Sequence, residues 1–131
     1  MLRKFCREKK GQGLVEMALV IPILLMLVFG IIEFGRIFGA DLVVKYSARE
    51  GARIGAVGGT DANIRSQIRD SAVSLDPDKL TITISPGEAA RTRGRQVSVQ
   101  VAYPLEIMMP LLPMVTGDTL TVRTTCVMRV E

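Results

Sequence analysis

Histidine and tryptophan are absent from this chain, and other aromatics are scarce, with four Phe and two Tyr in 131 residues. The lack of His removes the side chain that most often serves as a general base near neutral pH and most often binds transition metals. Cysteine is almost missing as well. Cys6 and Cys126 stand at opposite ends of the chain, so neither a short-spaced metal cluster nor a disulfide-stapled scaffold can be built. No Ser–Lys or Cys–His arrangement offers a nucleophile. Asp76, Asp78 and Asp118 could gather around a cation, but turn and loop aspartates of this kind more often cap or face solvent. The expectation is a protein that is not an enzyme, with no cofactor and no metal site.

Net charge is lacking in the body of the chain. The formal net charge is +4, yet Arg3, Lys4, Arg7, Lys9 and Lys10 against Glu8 account for all of it. The remainder carries twelve basic and twelve acidic side chains. Nucleic-acid binding needs a basic face on the folded body. The one candidate, Arg91 with Arg93 and Arg95, reads as a solvated loop, so no nucleic-acid partner is expected.

What is present is a long apolar run. Met17 to Ile32 reads MALVIPILLMLVFGII, sixteen residues without a charge or a hydrogen-bonding side chain. Leu14 and Val15 lengthen it if Glu16 is tolerated, giving a membrane-spanning part at about 14–32. At about 1.5 Å per residue this approaches the bilayer core of about 30 Å. A buried core helix would need a larger protein around it. A cleavable secretory signal would need a shorter run and a small-x-small site, which Glu33-Phe34-Gly35-Arg36 does not supply. Basic residues before the run and Glu33 after it place the N-terminus in the cytoplasm and the rest outside. Pro22 lies within the run, where a membrane helix bends without breaking.

Helical periodicity continues past the run to about Val57. The helix therefore extends over about 44 residues, or about 66 Å. Phe34, Ile37, Phe38, Val44, Ala48, Ala52 and Ala56 fit one apolar stripe. Asp41 with Lys45, and Glu33 with Arg36, fit the surface of the helix. Gly35-x-x-x-Gly39 and Gly51-x-x-x-Gly55 have the spacing that lets helices approach closely. Loose glycine use explains them equally, although each interior Gly costs about 1 kcal/mol relative to Ala.

Gly58-Gly59 ends this helix, and Thr60 can cap a second one over Asp61 to Leu75. Three alternating segments follow, phased on Leu80, Ile82 and Ile84, on Val97 to Tyr103, and on Leu120 to Val130. Such alternation predicts a half-buried antiparallel sheet. The fold class is thus α+β: a long N-terminal helix, a short second helix and a small three-stranded antiparallel sheet. Residues 58–131, with the distal half of the long helix, make a small extracytoplasmic domain. Between Pro104 and Gly117, Leu105, Met108, Met109, Leu111, Leu112 and Met114 are crowded among three prolines. Two roles fit: a loop folded over the core, or an exposed contact for a partner or the bilayer.

Glu16 needs an explanation, because a carboxylate at the centre of a bilayer costs about 2.5–3.5 kcal/mol and somewhat less near the interface. A chain cut after Gly11 would begin at Gln12 and carry a free ammonium close to such carboxylates. A snorkelling Glu16 in an uncut chain is the simpler alternative. The basic leader, Gly11 and Glu16 just before an apolar helix resemble type IV prepilins and pseudopilins. Gln12-Gly13-x-Val15-Glu16-x-Ala18-Leu19-x-x-Pro22, then Gly30, Glu33-x-Gly35-Arg36 and Ala48-Arg49-Glu50-Gly51-Ala52-Arg53, are similar to the TadE-like family of tight-adherence (Flp) pilus systems.

That resemblance implies a pilin-like fold and a minor pseudopilin, membrane-bound or built into a pilus. Residues 1–11 would be a leader removed by a prepilin peptidase, leaving 12–57 as the long helix. Gly11 would precede the scissile bond, Gln12 would be the new N-terminus and Glu16 the assembly contact. Pro22, Gly35, Gly39, Gly51 and Gly55 would serve helix packing. Partners would be other pseudopilins, the major Flp pilin, the inner-membrane assembly platform and the lipid bilayer. Gln12 departs from the Phe common at this position in many pilins. The alternative function is a membrane-anchored binding or accessory module that does not polymerise.

Overall fold

The computed structural model describes the backbone of residues 5–108 and 117–131 and the side chains of 11–108 and 117–131. Helix α1 runs over Phe5–Ala56 and passes through Pro22 without a break. Helix α2 spans Asp61–Ser71. Strands β1 (Thr81–Ser85), β2 (Gln96–Glu106) and β3 (Thr119–Arg129) form one antiparallel sheet in the order β1-β2-β3. The chain divides into two compact units after Gly35.

The end of α1 follows from its glycines. Gly58 adopts φ +85°, a left-handed conformation that costs glycine little. The Gly59 amide then donates to the Ile54 carbonyl at 2.9 Å, and Gly58 to Gly55 at 3.3 Å. This paired arrangement satisfies carbonyls that a helix end would leave open. Thr60 follows at once and accepts the Asn63 amide on its hydroxyl at 3.2 Å, capping α2. Helix α2 stops at Ser71, short of the expected Leu75. Ser71, Val73 and Ser74 are weak helix formers, and the Ala72 amide closes the helix onto Ile68 and Arg69.

The core of the second unit lies between the sheet and two helical faces. Ala40, Val44, Ala48 and Ala52 of α1 meet Ile64 and Ile68 of α2 and Val97, Val99 and Val101 of β2. The small α1 side chains let the helix lie close to the sheet. Ser47 is fully buried among them, with its hydroxyl donating to the Val43 carbonyl at 2.8 Å, so burial leaves no polar atom unpaired.

Several expectations are corrected. Phe34 and Phe38 do not join the buried stripe: they are 76% and 60% exposed. The stripe is set by Ala40 and Val44, and Phe38 sits roughly 200° around the helix from Ala40. Glu33 is only 5% exposed rather than a surface residue. Arg91 is not part of a solvated loop. Its side chain is 3% exposed, and it donates to the Gly59 carbonyl and pairs with Asp61, tying the loop to the start of α2.

The sheet register gives the direction of every backbone group. The Ile107 amide donates to Asp118 and the Val130 amide to Arg95. Between these ends the β2–β3 register is unbroken. Odd-numbered residues of β2 therefore bond to β3, and its even-numbered residues to β1. This explains how the central strand accommodates Pro104. Pro104 faces the β1 side, and β1 pairing ends at Thr81↔Ala102. The missing N–H falls where no neighbour is left to accept it.

Candidate assembly interface on the first helix

Within α1, Gly11, Gln12 and Glu16 are exposed helical residues. From Leu14 to Ile32 the large apolar side chains are also exposed, including Leu14 at 73%, Ile23 at 69% and Ile31 at 65%. One helix among the described residues is long and apolar enough to cross a membrane, with a window of mean hydropathy 2.7. Such a surface is stable only against lipid or other helices.

The four glycines proposed for helix packing separate into two pairs. A Cβ on Gly51 would stand 2.6 Å from both Cγ1 and Cδ1 of Ile68. One on Gly55 would stand 3.1 Å from Val97 and 3.2 Å from Ile64. These two glycines let α2 and β2 approach α1 within the chain. At Gly35 and Gly39 a Cβ would meet nothing within 4 Å. Among the described residues, then, Gly35 and Gly39 are not used for close packing within the chain. Pro22 is exposed within α1.

Beside Gly39, Phe38, Leu42 and Tyr46 are 60%, 53% and 59% exposed. They follow one another at four-residue spacing and so share a face. Sequence reasoning missed this face because Phe38 also fits the apolar stripe. The separating signal was the Ala/Val run at 40, 44, 48 and 52, which competes for the core. Asp41 and Lys45 border the face and pair at 2.6 Å.

Of the apolar residues proposed as a partner surface, Leu105 is instead a core residue at 5% exposure. Its odd position in β2 turns it toward the helices with Val101 and Tyr103. Met108 is 78% exposed. Met109, Leu111, Leu112 and Met114 lie outside the described residues.

Asp76 caps a short turn by accepting the Asp78 amide at 3.1 Å. Among the described residues no group of three or more His, Cys, Asp or Glu could hold a metal ion. Cys126 is a free, half-buried thiol. No curated protein and no solved structure matches the chain. Residues 11–53, about a third of the sequence, match the family model described as TadE-like protein.

Proposed function

We propose that this chain is a minor pseudopilin of a tight-adherence (Flp) type pilus system, processed after Gly11 and assembled through α1. The observation that carries this reading is the family match. It begins at Gly11, includes Glu16 and the apolar run, and ends at Arg53 in the distal half of the helix. Exposure of the apolar half of α1 supports lateral packing in a membrane. The basic residues preceding it support a cytoplasmic N-terminus. The partners are a prepilin peptidase, other pseudopilins, the major Flp pilin and the assembly platform.

In this mechanism the new ammonium of Gln12 and the Glu16 carboxylate neutralise each other between neighbouring subunits. That contact offsets the cost of placing a carboxylate at the bilayer edge. N-terminal mass spectrometry of the protein from its host should find a mature chain beginning at Gln12. Glu16→Ala should still be cleaved but should enter assembly complexes poorly. Intact Met1 in assembled material removes the processing step, and normal incorporation of Glu16→Ala removes the role of its carboxylate.

A further inference from the structure

The two edges of the sheet are protected very differently. On β1 only Ile82 and Ile84 turn their backbone groups outward. The Ile82 carbonyl is already taken by the Arg65 guanidinium at 3.0 Å, and Pro86 follows the strand directly. Among the described residues, strand β3 carries fewer protections, chiefly the exposed charges of Arg123 and Arg129. Thr119–Arg129 contains no Pro, no Gly and no inward-pointing charge, and its register is continuous. Cys126 and the other even-numbered residues bond to β2. Thr121, Arg123, Thr125 and Val127 therefore present their N–H and C=O groups at the free edge, where the described residues give them no partner. A long open edge of this kind is a template for another strand.

Core cover also fades at this edge. Val97, Val99 and Val101 on β2 are fully buried, whereas on the same face of β3 Val122 and Val130 are buried but Leu120, Thr124, Cys126 and Met128 are only half-buried. A hollow of ≈ 360 Å³ lies beside two of these, Thr124 and Cys126, and is lined also by Thr125 and by Lys45, Tyr46 and Arg49 of α1. On the opposite face Arg123 and Arg129 are exposed, beside Val127 at 52% exposure. Neither Arg123 nor Arg129 makes an ion pair among the described residues.

We infer that the free edge of β3 receives an extended acidic segment of a different protein as a fourth strand. Its main chain bonds to Thr121, Arg123, Thr125 and Val127. Alternate apolar side chains enter the hollow and complete the cover over Thr124 and Cys126. Acidic side chains on the other face meet Arg123 and Arg129. Charge disfavours a second copy of β3 in this place, since the strand carries two Arg and no carboxylate. Self-pairing would set arginines of both copies on one face without compensation. The inference stands whether or not the chain is cut after Gly11.

The test uses full-length protein in detergent micelles and a capped nine-residue peptide alternating Val with Glu. A second peptide alternates Val with Lys. The Val/Glu peptide should bind and slow amide exchange at Thr121, Arg123, Thr125 and Val127. Arg123→Glu combined with Arg129→Glu should weaken it at least about tenfold and favour the Val/Lys peptide instead. Thr125→Pro should abolish binding, because it removes an edge donor while leaving the β2 bonds in place. Equal binding of both peptides to the wild type overturns the inference, as does binding without protection of the edge amides. Concentration-dependent protection of the same amides without peptide assigns the edge to a second copy and overturns it too. If Thr125→Pro does not fold, the charge-reversed variant decides alone.

Discussion

Replacing Gly51 by Ala improves a helix residue and should nevertheless destabilise the protein. Alanine is favoured over glycine in a helix interior by about 1 kcal/mol. Against this, the added Cβ would stand 2.6 Å from Ile68 Cδ1 and Cγ1, and Ile68 is fully buried. Swinging the terminal methyl aside does not relieve the clash, because Cγ1 lies nearer the backbone. Either the Ile68 rotamer or the α1–α2 spacing must change, and such overpacking costs about 1–3 kcal/mol. Taking the middle of that range, Gly51→Ala loses about 1 kcal/mol net. Gly39→Ala is the matched control. It gains the same helix preference at a position with nothing within 4 Å, so the two variants should differ by about 2 kcal/mol.

Guanidinium titration of the full-length protein in one detergent measures this difference. Tyrosine fluorescence reports the core through Tyr103, which is 9% exposed with its hydroxyl accepting the Asp76 amide at 3.4 Å. The denaturant slope must stay constant for the midpoints to be compared. Ile68→Val removes one of the clashing atoms, so the double variant should lose less than the sum of the two single losses. Gly51→Ala becoming as stable as Gly39→Ala would refute the close packing of α1 on α2.

Three further outcomes are expected. Gly39→Leu should leave the isolated protein folded and slightly more stable, by somewhat under about 1 kcal/mol, but reduce its recovery in assembly complexes by co-purification; unchanged recovery would assign the open glycine face no assembly role. Gly13→Ala strengthens the helix around the proposed cut by about 1 kcal/mol, which lowers the unwound fraction about fivefold, and cleavage by a prepilin peptidase should slow accordingly in a gel time course; an unchanged rate would mean that unwinding does not limit cleavage. The Lys79 amine, hydrogen-bonded to Glu106 at 3.2 Å, is held above its ordinary value of 10.5 chiefly by that bond and then by the charge of Glu106. A raised folded value means that the contribution of the pair is complete below about pH 10.5 and fades as pH climbs through the folded value; an Nζ titration by NMR should move downward in Glu106→Gln, and identical curves would exclude the pairing.

The sequence was most legible where a single physical constraint acted. Sixteen uncharged residues leave few alternatives to a membrane-length helix, and a strand period of two is hard to mistake in Val97–Tyr103. The end of α1 was legible because Gly58 and Gly59 had a local task. Legibility failed where two patterns overlapped on one helix. Phe38 and Val44 both satisfy an apolar period, and larger side chains look like better core. The core chose the smaller ones, because Ile64, Ile68 and the β2 valines already fill the space against α1. The same competition gave Gly51 and Gly55 an internal role while leaving Gly39 open, although all three carry the same spacing signal. Pro104 is hard to read from sequence for a related reason: its effect depends on which neighbour its missing N–H would face, and the register decides that, not the residue. Spacing along one element therefore identifies what can pack closely, and only the elements opposite determine whether that packing is spent within the chain or kept for another.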